Sequence, residues 1–264
     1  MNIFRRELRA YRRGLIIWSV CLFLLVVSGM SKYSAYSAGG ASSEVFDALP
    51  QTMKALLGFG SFDVTQISGY FAMLFLYIEL TVAIHAVLLG SGIIAKEERD
   101  KTVEFLIVKP VSRGTILTAK LLAALVQVLL LNLVTLVSSL VMVSAYNQGE
   151  AITGEILQFM ASLLLVQLIF LSLGTVLSAL LKRPKTSGSI ATGVLLGCFV
   201  ISKITDLTDQ LNALNVLTPF KYFSYARIVN GEGLHAGITA LSLLLVAGLV
   251  VFTYTAYRKR ELNV

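Results

Sequence analysis

Two ionisable side chains lie inside a long apolar run, and both could do chemistry within a membrane. Glu79 and His85 occupy the run 70–95, whose other residues are almost all apolar or small. A carboxylate there is costly to desolvate, so it predicts a contact for a substrate or a cation on a transport path. The alternative is a packing role, with Glu79 protonated or bonded to another helix, for example to Asn132 or Gln167. Six positions on a helix correspond to about 120°, which predicts that Glu79 and His85 lie on different faces.

The motifs of nucleotide-dependent and hydrolytic enzymes do not occur in the sequence. There is no G-x-x-x-x-G-K-[ST] loop for nucleotide phosphates and no G-x-S-x-G turn for a serine nucleophile. Only 2 histidines occur, and neither belongs to an H-E-x-x-H motif, so no metal site is predicted. We therefore expect a chain that is not an enzyme on its own and binds no cofactor itself.

The densest charge in the chain falls on the segment 96–113, between two long apolar runs. Apolar residues recur within it at helical spacing, and a proline ends the predicted helix. A short amphipathic helix of this kind can lie on the membrane surface and receive a push from a soluble motor. The alternative is a solvated loop that only sets orientation. The residues predicted to contact the motor are Glu97, Glu98, Thr102, Val103, Glu104, Leu106, Ile107, Pro110 and Arg113.

Membrane-spanning helices must position these residues. Apolar residues make up 56% of the chain and charged residues 14%, whereas a soluble domain carries about a quarter charged. The mean hydropathy is +0.79. Because a bilayer offers the backbone no water, apolar runs of spanning length predict helices, and hence an all-α polytopic membrane protein with one domain over 1–264. The six predicted transmembrane spans are 15–30, 70–95, 115–143, 157–181, 187–202 and 236–257.

Basic residues predict which side of the membrane each loop occupies. With these spans, 17 of the 22 lysines and arginines fall on one face, which holds both termini and the segment 96–113. Loops rich in Lys and Arg stay in the cytoplasm, so both termini and this segment are predicted to be cytoplasmic. Orientation thus accounts for the net charge of +7, and nucleic acid is not a predicted partner. A cleaved N-terminal signal peptide would place the basic C-terminal tail outside, which the same rule disfavours.

Two further patterns concern surfaces. In residues 1–13, apolar side chains recur at helical spacing and arginines fill the remaining surface, which predicts an amphipathic interfacial helix that meets lipid head groups. In the fifth span, Gly193 and Gly197 form a small-xxx-small pair that permits close helix approach. This pair predicts either packing within the chain or contact with a second subunit.

The segment between spans two and three resembles that of a known family. In order, Glu97-Glu98, Thr102-Val-Glu104-Phe-Leu106-Ile, Pro110-Val-Ser-Arg113 and then Lys120 resemble the cytoplasmic segment of ABC-2 type permeases, the membrane subunits of ABC exporters. The Leu-Pro…Ala-Leu-Leu-Gly stretch before span two and Leu-Thr-Pro-Phe-Lys-Tyr-Phe before span six look similar as well. The chain departs from the family pattern at Lys101, where the family usually has Gly.

This resemblance implies partners and a function. The segment 96–113 would act as the coupling helix, and two cytoplasmic ABC ATPase subunits would bind ATP and Mg. A second permease subunit, identical or related, would complete the pathway in a bacterial or archaeal cytoplasmic membrane. The expected cargo is a lipid, antibiotic, peptide or other amphipathic molecule. The alternatives are a stand-alone secondary transporter and a membrane anchor or sensor without transport, and an ATPase reading frame beside this one would separate them from a permease.

Overall fold

A computed structural model describes residues 2–34, 50, 52–54, 62–102, 111–147, 149, 152–181 and 186–259. No strand occurs within these ranges. Six of the helices are long and apolar enough to cross a membrane, which confirms the predicted number of spans. The α-helices, in chain order, are α1 (Asn2–Met30), α2 (Ile67–Arg99), α3 (Arg113–Tyr146), α4 (Thr153–Leu180), α5 (Ser187–Thr205), the short α6 (Tyr225–Val229) and α7 (Ala236–Lys259).

The first helix differs from the prediction. α1 continues from Asn2 to Met30 without a break, so the expected boundary between a surface helix over 1–13 and a span beginning at 15 is not present. Gly14 stands at that boundary, but a helix tolerates a single glycine. Phe4 and Leu8 pack against the buried core of the bundle. The apolar face of the first turns therefore has a partner within the protein.

The bundle is built around α2 and α4. In the most apolar 18-residue stretch of each, 67% of the residues are buried, against 11% in α7. A Cβ added to Gly90 of α2 would collide with the carbonyl oxygen of Leu171, and one added to Gly174 of α4 would collide with that of Val87. Each glycine thus admits the backbone of the other helix, and the remaining spans pack around this close pair.

The chain between α5 and α6 turns back along α5. It forms two 3-10 stretches, Asp209–Leu217 and Pro219–Lys221, and an ion pair between Lys221 and Asp206 fastens them to the end of α5. The aromatic ring of Tyr225, the first residue of α6, then packs against phenylalanines of α2 and α4. The returning chain therefore delivers a side chain of α6 to the centre of the bundle.

Candidate functional site

α2 ends in a Schellman motif at the point where the segment 103–110 begins. The Thr102 N–H donates to the carbonyl oxygen of Glu97 at 2.8 Å, and the Lys101 N–H donates to that of Glu98 at 3.4 Å. Lys101 has a φ of 54°, in the left-handed region that glycine favours. The left-handed turn explains why the family that the sequence resembles has glycine here, and this chain forms the same turn with lysine.

α3 begins just after the same segment, with a capped first turn. The Ser112 hydroxyl accepts a hydrogen bond from the Thr115 N–H at 3.1 Å. Arg113, the first residue of α3, is exposed and donates to the carbonyl oxygen of Arg258 at the end of α7, at 3.3 Å. Local backbone structure therefore fixes both ends of the segment 103–110.

A buried ion pair joins the last turn of α2 to α3. Lys120 is fully buried, and its Nζ donates to the carbonyl oxygen of Ile93 at 2.7 Å and to the Glu97 carboxylate. Glu97, in the last turn of α2, is 5% exposed. A buried ammonium group without an anion would be strongly destabilising. The pair therefore holds the end of α2 and the first turns of α3 together.

Two residues of α1 extend this pair into a network. Arg6 donates to Glu97 at 3.1 Å and to Glu7 at 3.2 Å. Glu7 is fully buried and also accepts from Lys96 at 3.3 Å. We call these residues, Arg6, Glu7, Lys96, Glu97 and Lys120, the inner charge cluster. Its cations and anions alternate across three helices, so α1, α2 and α3 are tied at one end of the bundle.

Of the residues predicted to contact a motor, Glu97 differs most from the prediction. Its carboxylate faces the inner charge cluster instead of the protein surface. Glu98 is half-buried, while Thr102 and Arg113 are exposed. Outside the described residues lie Val103, Glu104, Leu106, Ile107 and Pro110. The role of these five as a contact surface stays a prediction.

Glu79 is buried as well, and its partner is neither of the amides named from the sequence. The hydroxyl of Tyr225 donates to its carboxylate, whereas Asn132 and Gln167 bond to each other at 3.1 Å. Burial and, secondly, the nearby Glu79 carboxyl raise the pKa of the Tyr225 hydroxyl well above its usual value. The hydroxyl therefore keeps its proton and remains a donor.

His85 lies on another side of α2, as its spacing from Glu79 predicts. Its ring is buried and meets Trp18 of α1 edge-on, with the ring centroids 5.4 Å apart. Its Nδ1 has no hydrogen-bond partner among the described residues. The described part of the chain also holds no group of three side chains that could bind a metal. Glu79 and His85 therefore contact different elements, and their place on a transport path stays a prediction.

A second group of charges lies at the opposite end of the bundle. Asp206, directly after α5, accepts from Lys203 at 3.2 Å and from Lys221. The ammonium of Lys203 also lies 5.6 Å from the centroid of the Phe199 ring. We call Lys203, Asp206 and Lys221 the outer charge cluster. It fastens the returning chain to α5, and the sequence patterns did not single it out.

The glycine pair of the fifth span lies on an exposed face of α5. A Cβ added to Gly193 or Gly197 would meet no atom of the described structure within 4 Å. Val194 and Val200 beside them are 39% and 54% exposed. Among the described residues, no helix therefore packs on the pair, and the second prediction, contact with another subunit, stays a prediction.

Comparison with protein families gives a match over nearly the whole chain. Residues 1–262 match the family described as ABC-2 family transporter protein. No curated protein matches the chain. The matched range includes the six spans, the segment 103–110 and both charge clusters.

Proposed function

The chain belongs to the ABC-2 family of transporter proteins, and on that premise we propose that it is the permease subunit of an exporter driven by a separate ATPase. Its six apolar helices make it a multi-pass membrane permease. The proposal adds a motor, a direction and a class of cargo. Two cytoplasmic ATPase subunits bind and hydrolyse ATP with Mg, and the permease carries an amphipathic molecule outward.

One observation carries the proposal: the residues on both sides of the segment 103–110 belong to helices that a buried ion pair holds together. A push on this segment reaches α2 through the turn at Lys101 and α3 through the cap at Ser112. The Glu97–Lys120 pair stops the two helix ends from moving independently. A loop that only set orientation would not need a buried ion pair between the two helices that it connects.

The inner charge cluster also passes the same displacement to α1. Arg6 contacts Glu97 from the first turns of α1, and Glu7 contacts Lys96 one residue earlier on α2. Such discrete, fully paired contacts shift as units between alternative arrangements, which suits the transmission of a conformational change. The end of α2, the start of α3 and the start of α1 therefore respond together to a partner below the membrane.

A second permease subunit is the other proposed partner. The exposed face around Gly193 and Gly197 supports contact between two copies, because small residues let helix backbones approach closely. Gly197→Leu should weaken cross-linking between copies in the membrane. Gly248→Leu is the matched control, since Gly248 of α7 also has no atom within 4 Å of an added Cβ. Equal cross-linking in both variants would remove α5 from the interface.

Co-purification with an ABC ATPase, sought first in the reading frames beside this one, tests the proposal most directly. Glu104→Ala and Leu106→Asp should leave the permease inserted and lower ATPase association or substrate-stimulated hydrolysis in lipid. Loss of one partner of a buried charged contact costs about 2–5 kcal/mol at an interface, which is at least tenfold in affinity. Glu155→Ala, in the first turn of α4 at the other end of the bundle, is the matched control. Unchanged coupling in both test variants would reduce the segment to a solvated loop.

Cysteine labelling tests the orientation separately. In a background without Cys21 and Cys198, single cysteines placed at Ser42, Gln148 or Asn212 should react with an impermeant reagent added outside. Cysteines placed at Thr102 or Thr186 should react only after the membrane is opened. Outside labelling at Thr102 would put the segment 103–110 on the wrong side for a cytoplasmic ATPase, and the proposal would fail.

A further inference from the structure

The continuous first helix carries two surfaces that lie on one side of it. Arg5, Arg9, Arg12 and Arg13, which we call the arginine stripe, are all exposed. At 100° per residue these four positions fall within a sector of roughly 100°. Within the described part of the chain, no carboxylate pairs with any of them. The stripe is thus a compact surface of four uncompensated positive charges.

An apolar surface continues the same side of the helix toward the membrane centre. We call its residues, Ile16, Ile17, Val20, Phe23 and Leu24, the apolar stripe, and they are 47–63% exposed. Ile16, Val20 and Phe23 fall in the same sector as the arginines by the same helical geometry. From Arg13 to Leu24 the helix rises about 16 Å, which is close to half of the roughly 30 Å hydrocarbon core of a bilayer.

The opposite side of α1 is occupied by the protein itself. Phe4, Leu8 and Tyr11 pack against the buried core, and the Glu7 carboxylate is held in the inner charge cluster. Glu7 is the only acidic residue of α1. The two stripes therefore face away from the bundle, and no acid on this helix competes for the arginines.

We infer that this side of α1 is a binding site for an anionic glycerophospholipid of the cytoplasmic leaflet. One lipid molecule matches both stripes, with its phosphate against the guanidinium groups and its acyl chains along the apolar residues. Guanidinium groups bind phosphate oxygens in pairs, which favours arginine at such a site. A zwitterionic head group brings its own ammonium next to four guanidinium groups, so a head group with net negative charge binds more tightly. A soluble acidic protein could cover the arginine stripe but not its apolar continuation.

A tryptophan placed in the apolar stripe makes this inference measurable without knowing the ATPase or the cargo. The native Trp18 packs against His85 of α2, on the opposite side of α1, so Phe23→Trp in a Trp18→Phe chain supplies the fluorophore. Lipids with brominated acyl chains quench tryptophan fluorescence at short range. The full chain is reconstituted in zwitterionic vesicles that contain a small fraction of brominated phosphatidylglycerol or of brominated phosphatidylcholine. The inference expects an apparent affinity about fivefold or more higher for the anionic lipid, falling as salt is raised.

The variant Arg5→Gln/Arg9→Gln/Arg12→Gln/Arg13→Gln should lose this preference. Arg258→Gln/Lys259→Gln, which removes exposed basic residues from the same end of the bundle, should keep it. If the fourfold variant fails to insert, Arg9→Gln/Arg12→Gln and the salt titration of the Phe23→Trp chain with all its arginines decide the question. The inference would be overturned by equal quenching by both lipids or by a lipid preference that salt leaves unchanged. It would also be overturned by a preference that survives in the variants of the arginine stripe. A variant that loses only ATPase binding would assign the stripe to a protein partner instead.

Discussion

Two glutamates of α2 make a controlled comparison, because the same helix buries the same side chain at two depths. Glu79 and Glu97 are 18 positions apart, which is five helical turns, so they start on the same side of α2. Glu97, at the helix end, meets the charged groups of Lys120 and Arg6. Glu79, further from the helix end, accepts a hydrogen bond from the neutral hydroxyl of Tyr225 and forms no direct ion pair within the described residues.

The difference teaches what each carboxyl contributes. At the end of α2, each charge of the inner charge cluster depends on its neighbours, because removing one leaves another buried without a partner. In the middle of α2, a hydroxyl donor is satisfied by any acceptor, whether carboxyl or amide. Position 97 therefore requires a charge, whereas position 79 requires only a hydrogen-bond acceptor for stability.

Removal of the buried Lys120 ammonium should have the largest effect on the stability of the chain. Lys120→Met keeps the volume and removes the ammonium, which leaves Glu97 with Arg6 alone. We expect a loss of about 3–5 kcal/mol, seen as a large fall in the thermal midpoint of the purified chain in detergent. The double variant Lys120→Met/Glu97→Gln should lose less than the sum of the two single variants. Additive losses would mean that the pair makes no coupled contribution.

The same substitution at the two glutamates should show how much more stability the charged contact of Glu97 contributes than the neutral contact of Glu79. Glu97→Gln removes the charge that Lys120 and Arg6 require, while Glu79→Gln keeps an acceptor for Tyr225. Loss of one partner of a buried ion pair costs about 3–5 kcal/mol, whereas a neutral hydrogen bond contributes about 1 kcal/mol, so Glu97→Gln should cost more than Glu79→Gln by roughly 2–4 kcal/mol. Thermal unfolding of both variants, side by side in one detergent, measures this difference. If Glu79→Gln is stable and yet alters transport, Glu79 belongs to the path; normal transport would leave it a packing residue.

Loss of the Tyr225 hydroxyl tests how much its hydrogen bond to Glu79 contributes to stability. Tyr225→Phe keeps the ring contacts with Phe75 and Phe159 but leaves the buried Glu79 carboxyl without this donor. We expect a loss of about 1–2 kcal/mol. Tyr222→Phe is the matched control, since the Tyr222 hydroxyl donates at 2.7 Å to the carbonyl oxygen of the exposed Val216 and should contribute less. Equal losses in the two variants would show that burial of Glu79 does not set the cost.

The smallest expected effect concerns the turn that ends α2. Lys101→Gly places glycine at a left-handed position and should stabilise the chain by about 1 kcal/mol or less. Lys101→Val should destabilise it, because a β-branched side chain fits this backbone poorly. Thermal midpoints of the two variants should therefore shift in opposite directions. Shifts in the same direction would contradict the turn geometry.

The number of candidate spans could be predicted from the sequence, because long apolar runs indicate helices of membrane-spanning length. The predicted limits 70–95 lie within four residues of the observed helix Ile67–Arg99. The first span was predicted to begin near 15, because composition changes there from charged to apolar. The backbone hydrogen bonds of α1 do not depend on that change, so the helix continues through Gly14.

The partners of the two glutamates could not be predicted in the same way. Tyr225 lies 146 positions from Glu79, and Arg6 lies 91 positions from Glu97, so no local pattern relates them. Local reasoning instead suggested Asn132 and Gln167, which form a hydrogen bond with each other. One signal was available, since Glu7 stands one turn from Ile3 and one from Tyr11, on the apolar side of α1. An acid on an apolar face predicts a buried cation from another helix.

The glycine contacts between α2 and α4 fix the axial register of the two helices as well as the distance between them. Gly90 and Gly174 each receive a carbonyl oxygen of the other helix. Sliding either helix by one turn, about 5.4 Å, would bring a side chain of the neighbouring turn against that oxygen on both sides at once. The pair therefore has a single axial register: it tilts or rotates as one rod but does not shear. Any movement that opens a passage through this subunit then belongs to the helices that surround the rod.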